Sequence, residues 1–255
     1  MSLFFDTMSF FERGLTKLYR NPTLTATYLI EPVAFLVIFS QMFTKLGNFL
    51  PAEAGGYVAY LTPGIIVFCA LIASTQSGVS IVNDMNSEFL SKVLLTQSSR
   101  SAILLGRLLT DMAMTIAMSI IAIAAAVAMG VKFYYGLLGM LVMLLTAAVF
   151  EMAFSGLFLA VGIYTRKTET LSAISGFLYL PLLFLSTAMF PAAFLPEWAQ
   201  TASDYNPVTY VANVVRELVS GGLGISTVAD AYILTGAIAL VTFAATLYQF
   251  RKVIS

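Results

Sequence analysis

Residues 57–82, YVAYLTPGIIVFCALIASTQSGVSIV, run without one charged side chain. About 20 consecutive apolar residues carry an α-helix across the hydrocarbon core of a bilayer. The chain repeats such runs, and six spans are predicted, at 24–46, 57–82, 102–130, 135–164, 171–190 and 229–250. Inside a bilayer no water is available to backbone N–H and C=O groups, so each run must satisfy its own backbone by becoming helical. The expected fold class is an all-α polytopic membrane protein forming one domain over residues 1–255. Composition agrees. Only 10% of residues are charged and 59% are hydrophobic, whereas a soluble domain carries about 25% charged residues. Such a chain cannot clothe a water-facing surface.

Lys and Arg set the expected orientation, because short cytoplasmic loops are enriched in them. With the N-terminus inside, the inner segments hold Arg13, Lys17, Arg20, Lys92, Arg100, Arg107, Arg166, Lys167, Arg251 and Lys252, and the outer ones only Lys45, Lys132 and Arg216. Both termini are therefore expected in the cytoplasm, in a multi-pass protein of the cell membrane. The opening residues lack the basic start, apolar core and small-residue cleavage site of a signal peptide. In 3–20, Leu3, Phe4, Phe5, Met8, Phe11, Leu15 and Leu18 recur at spacings of three and four, with Arg13, Lys17 and Arg20 among them. This predicts an amphipathic helix in the inner interface, its bases toward headgroups, serving as a simple anchor or as an element of force transfer.

Much chemistry is excluded. There is no His and a single cysteine, Cys69, so zinc and disulfide frameworks are not expected. No phosphate-cradling loop and no hydrolase or protease motif is present. The commonest general base is missing. The chain is not expected to be an enzyme or to bind a cofactor, and its zero net charge gives no sign of a nucleic-acid partner. Energy for any transport must come from an ion gradient or from another protein.

Three acids fall within predicted spans, Glu31, Asp111 and Glu151. An intramembrane carboxylate costs roughly 2.5–3.5 kcal/mol at a helix centre and faces protein or a water-filled path. Asp111 follows Arg107 by four residues, a spacing that lets the two pair on one helix face. Glu31 precedes Pro32, which frees a carbonyl one turn back. Glu151 lies deepest, to fix packing against a neighbouring helix or to line a pathway. Ser155, Gly156 and Gly162 after it allow a close helix approach.

Two polar interruptions stand out. The first, 84–100, contains EFLSKVLL. Phe89 and Val93 lie one turn apart, as do Leu90 and Leu94, and Glu88 precedes Lys92 by four, the favourable order for an ion pair. Asn86 or Ser87 can cap its start. Two turns of helix are unstable alone, so the apolar side is expected to fill a partner's groove or to pack on its own bundle or the lipid surface. The second, 191–224, is too broken for two spans, with Pro191, Pro196, Pro207 and three glycines. Two short re-entrant helices, or an outer loop with one interfacial helix, fit it. Trp198 and Tyr205 are expected at the outer interface.

The order of these segments resembles a known family. YLTPGIIVFCALIAS, then the acidic turn and LSKVLLTQSSR with a Gly before the next span, is similar to the centre of ABC type-2 permeases. FLSTAMFPAAFLPEWAQTASDYNPVTYVANVVREL resembles their later signature, carried here by Pro191, Pro196, Trp198, Asn206, Pro207, Tyr210 and Arg216. LIEPVAFLVIFS resembles the first span of the nodulation-factor and drug-resistance branch. The resemblance implies six spans, an N-terminal interfacial helix, and a coupling helix at Glu88, Phe89, Leu90, Lys92, Val93 and Leu94. It also implies two copies of a separate ATPase subunit, which holds ATP and Mg, and a second permease copy, identical or related. One departure concerns the ATPase. Asp84 to Phe89 lacks the Arg and Gly of the family's D-R-E-x-G-T run. The expected function is the pathway subunit of an exporter for a drug-, lipid- or glycan-like amphiphile. A proton-coupled secondary transporter using Glu31 and Glu151, and a non-transporting scaffold, are the alternatives.

Overall fold

The computed structural model describes residues 3–49, 56–87, 89, 93, 99–222 and 224–253, and among them every regular element is helical. The described residues trace nine α-helices with defined bounds, in order. They are α1 (Leu3–Arg20), α2 (Pro22–Met42), α3 (Gly56–Asn86), α4 (Arg100–Ala128), α5 (Gly136–Thr165), α6 (Thr168–Phe184), α7 (Glu197–Asp204), α8 (Pro207–Ser220) and α9 (Ile225–Val253). Five of them, α2, α3, α4, α5 and α9, are long and apolar enough to cross a membrane. The sixth predicted span, 171–190, is occupied by a shorter helix, α6, of 17 residues.

Local chemistry explains most boundaries. Asn21 separates α1 from α2. Its side chain accepts from Leu24 N–H, and Pro22, with no N–H to waste, occupies the first turn. The Ser99 hydroxyl caps α4 by accepting from Ala102 N–H at 3.1 Å. Asn206 caps α8 and Pro207 follows it. Gly221 closes α8 at φ +92°, a left-handed conformation that glycine adopts without penalty.

The early end of α6 departs from the predicted span and has a cause. Pro181 offers no N–H to the carbonyl one turn back. Past Phe184 the chain turns, and its polar groups are taken by side chains. Asn206 Nδ2 donates to Leu182 O and Leu185 O at 2.8 Å each. Ser186 Oγ donates to Leu183 O. Apolar composition alone carries a run across residues 185–190, but the backbone bonds there lead to other elements.

α3 is the central helix, buried along most of its length and packed on α2, α4, α5, α6 and α8. Between lipid-embedded helices, close packing replaces the hydrophobic effect as the main attraction, and small residues permit it. At Gly78 a Cβ would lie 2.6 Å from Phe158 O, where α3 crosses α5. At Gly64 a Cβ would collide with Ala188 O, so the 185–190 turn lies directly on α3. Gly156 faces Thr242 of α9, and the hydroxyls of Thr242 and Thr246 donate to Ala153 O and Gly156 O at 2.9 and 2.7 Å. Gly156 and Gly162 thus do provide close approaches, to α9 and to α3.

α1 occupies the predicted 3–20 and lies along α4. Leu3, Phe4, Phe5, Met8 and Leu15 remain exposed. Its bases are placed differently from the expectation. Arg13 and Lys17 turn toward the bundle, where a carboxylate awaits them.

Candidate functional site

The bases of α1, Arg107 on α4 and the C-terminal turn of α3 meet at one end of the bundle, here called the basic end. Asp84 is the focus. Arg13 Nη2 lies 3.2 Å and Lys17 Nζ 3.4 Å from its Oδ1, and Arg107 Nη1 lies 3.1 Å from Oδ2. Arg13 and Lys17 are four apart, so one face of α1 presents both. One carboxylate thereby joins α1, α3 and α4 and leaves a local excess of positive charge. The Arg13 guanidinium also sits 3.4 Å from the centroid of the Phe89 ring. The same arginine therefore contacts the segment that follows α3.

Arg107 was expected to pair with Asp111. It pairs with Asp84 instead, and Asp111 Oδ2 is buried without a hydrogen bond. Ser77 lies beside Asp111, although its hydroxyl makes no hydrogen bond of its own. The longer reach succeeds because Asp84 closes a three-helix junction, whereas Asp111 lies one turn deeper on α4.

Of the predicted docking residues, Glu88, Leu90, Lys92 and Leu94 lie outside the described residues. Phe89 and Val93 are helical and half-buried. Val93 packs onto the apolar cluster of Ile81, Val82, Ile103 and Leu104. These two positions, one turn apart, thus face the chain's own bundle.

Two adjoining cavities run along α3, the first of them at the basic end. That one, of about 300 Å³, is walled by α1, α2, α3 and α4, with Arg13, Lys17, Asp84, Arg107 and Asp111 in its lining. A second of about 180 Å³ lies between α2, α3 and α6 and contains Glu31. Tyr28, Gln76 and Val79 wall both. A polar seam thus follows α3 from the basic end to the middle of α2. Glu151 is elsewhere. It is fully buried, accepts a hydrogen bond from Ser155 one turn on, and leaves Oε2 without a partner. Its backbone carbonyl accepts from Ser74 of α3 at 3.1 Å.

At the far end, the broken region holds itself together with its own signature residues. Arg216 Nη1 donates to Asn213 Oδ1 at 2.6 Å and Nη2 to Thr187 O at 2.7 Å. Its guanidinium lies 4.1 Å from the Tyr60 ring centroid. Tyr60 and Tyr57 of α3 donate to Thr187 O and Met189 O. Asn206 accepts from Val208 N–H while donating to the end of α6. Tyr210 Oη donates to Asp204 O at 2.9 Å. Pro191 and Pro196 begin the short 3-10 turn and α7, and Pro207 begins α8. Trp198 and Tyr205 are 66% and 82% exposed. Irregular backbone within a bilayer would need internal partners, and these residues provide them.

Sequence reasoning passed over Asp84 and Tyr28. A signal existed for Asp84, an acid within one turn of a span end in a chain with few acids, facing a basic i, i+4 pair elsewhere. Tyr28 gave none.

Comparison with known proteins follows the same lines. The family model described as ABC-2 type transporter matches residues 6–219. The chain is similar to the daunorubicin resistance ABC transporter permease protein DrrB1 of Streptomyces coeruleorubidus, 25% identical over 86% of this chain and 76% of that protein. It is similar to the putative transport permease ycf38 of Cyanophora paradoxa, 28% identical over 82% and 72% of the two chains. It is also similar to the probable doxorubicin resistance ABC transporter permease protein DrrC of Mycobacterium tuberculosis, 21% identical over 94% and 86%. With long apolar helices, and with a family match running from α1 through α8, the chain belongs to the ABC-2 type transporter permease family.

Proposed function

We propose that this chain is the membrane-spanning subunit of an ATP-driven exporter of amphipathic, drug-like molecules, powered by two copies of a separate ATPase subunit. The observation that carries the reading is the family match over residues 6–219 in a chain with no phosphate-binding loop of its own. Relatives named for daunorubicin and doxorubicin resistance favour drug-like cargo over a lipid or a glycan. ATP and Mg belong to the partner.

The basic end is the cytoplasmic end in this reading, and both termini lie there. α6 supplies the sixth crossing. Its 17 residues rise about 25 Å, and the turn after it meets Tyr57 and Tyr60 at the start of α3. That contact supports a path reaching the opposite face. α7 and α8 then act as short re-entrant helices. α2 and α9 leave most of their surface uncovered, which suits lipid and a second permease copy. The segment after α3 is the coupling element, with Leu90 and Leu94 as its docking residues for the ATPase. Phe89 and Val93 transmit its motion through Arg13 and the Ile81–Leu104 cluster. The seam of cavities along α3 is the inner part of the route.

The test is co-reconstitution with a separate ABC ATPase subunit, reading vanadate-sensitive ATP hydrolysis and cargo flux in liposomes. Leu90→Asp with Leu94→Asp is expected to uncouple the two proteins. Unchanged association and hydrolysis would falsify the docking assignment. Flux that survives ATP depletion but collapses with an uncoupler establishes the proton-coupled reading instead.

A further inference from the structure

Like Asp111, Glu31 forms no ion pair among the described residues, but Asp111 shares its cavity with Arg13, Lys17 and Arg107. Asp84 has three cations and Glu151 a serine hydroxyl. Glu31 makes no hydrogen bond and no ion pair among the described residues, and no Lys or Arg lines its cavity. It lies nine positions into α2 (Pro22–Met42), about 14 Å along the helix axis. A carboxylate at such depth is costly without a counter-charge.

The walls around it are also unsatisfied. Ser175 of α6 is 3% exposed, lines the cavity and has a hydroxyl without a partner. The Gln76 amide on α3 lines the same space and makes no hydrogen bond among the described residues. Tyr28, one turn before Glu31, and Tyr179, from α6, place two aromatic rings in the lining. Both phenols lie within the field of the Glu31 carboxylate. A Cβ added at Gly176 would meet nothing within 4 Å, so the α6 wall is open there.

An acidic group that shares a cavity with aromatic rings suits alkylated ammonium ions, which are held by charge and by negative ring faces. Size sharpens the match. A volume of about 180 Å³ equals roughly six water molecules and is smaller than a pocket for a whole drug-sized ligand. It takes a head group and leaves the apolar body of the ligand between α2 and α6.

We propose that Glu31, flanked by Tyr28 and Tyr179 and supported by Ser175 and Gln76, is the recognition point for an ammonium group on the exported amphiphile. This rests on the reading of the chain as a pathway subunit and gives that pathway a substrate class. The carboxylate is left without a protein partner because the cargo supplies one. Gly176 keeps the entrance wide.

The experiment uses the full chain in lipid nanodiscs, without ATP. The probe is an alkyltrimethylammonium carrying a photoreactive diazirine, compared with an isosteric tert-butyl probe that lacks the charge. Labelled peptides are located by mass spectrometry. The charged probe is expected to label residues 22–42 and 168–184 about tenfold more than the neutral one, the effect of one charge-assisted contact of ordinary strength. Glu31→Gln should remove that preference and leave neutral labelling unchanged. Tyr28→Phe should retain it and Tyr28→Leu weaken it, because the ring and not the hydroxyl is at work. Gly176→Leu should lower labelling by both probes. Equal labelling by the two probes in the unaltered chain overturns the proposal, as does a preference that survives Glu31→Gln. Because the assay needs no ATPase, failure here leaves the exporter reading standing. Loss of vanadate-sensitive flux in the reconstituted complex overturns that reading without changing the labelling.

Discussion

Asp84→Ala removes one acceptor from three cations at once, and the three do not lose equally. The Arg13 and Lys17 side chains are 39% and 49% exposed. Water re-solvates them, so each of those pairs contributes under about 1 kcal/mol. Arg107 is only 12% exposed, and its Nε already lacks a partner. Stripping the counter-charge from a buried ion costs about 3–5 kcal/mol. The expected loss is about 4–6 kcal/mol, most of it from Arg107. Arg107→Leu leaves Asp84 with Arg13 and Lys17 and should cost only about 1–2 kcal/mol. In the double variant neither member of the Asp84–Arg107 pair is left stranded. Its cost should fall short of the sum by at least about 2 kcal/mol.

The chain carries its own reporter for this cycle. Its single cysteine, Cys69, is fully buried in α3. A fluorogenic maleimide therefore stays dark until the centre of the bundle opens. Unfolding by sodium dodecyl sulfate in mixed micelles, followed through Cys69, gives the four stabilities. An Asp84→Ala loss below about 1 kcal/mol, or single effects that add within about 0.5 kcal/mol, refutes the idea that Arg107 is the cation most in need of Asp84.

The same assay checks three further expectations. Asn206→Asp should destabilise more than Asn206→Ala. Aspartate keeps the cap on Val208 but turns a negative charge on the carbonyls of Leu182 and Leu185, while alanine loses about 1 kcal/mol for the cap plus the cost of two unsatisfied acceptors. Gly78→Ala should cost about 1–3 kcal/mol because its methyl meets Phe158 O, whereas Gly236→Ala, with nothing within 4 Å, should be neutral or gain up to about 1 kcal/mol of helix propensity. Arg216→Lys should cost about 1–3 kcal/mol, because an ammonium cannot reach Asn213 and Thr187 O together while lying over Tyr60.

The helices were legible because their cause is local. A run of apolar residues near 20 long must become a helix in a bilayer, and α1 begins and ends where its three-and-four spacing predicts. The exception marks where local cause stops. Residues 185–190 are as apolar as a span, yet their conformation is held by Asn206, Arg216, Tyr57 and Tyr60, from α3 and from α8 with its cap. Asp84 was hidden for the same reason. Arg13 lies 71 residues away and Arg107 23, and Asp111, four positions from Arg107, was the nearer but wrong partner.

The two kinds of polar residue near the membrane also separate by what they lack. The signature residues at the far end are conspicuous as a pattern, but their polar atoms serve the backbone. Asn206 makes three hydrogen bonds to it, and Tyr57, Tyr60 and Arg216 close the turn after α6. A residue so engaged cannot also grip a passing ligand without releasing the fold. Glu31 belongs to the first-span motif and has no hydrogen bond or ion pair among the described residues. In a bilayer an unmet carboxylate is a cost that packing could have removed with an apolar side chain. Its presence in a cavity also lined by Tyr28, Tyr179 and the unmet Ser175 hydroxyl is accounted for by a ligand whose charge completes it and not by stability.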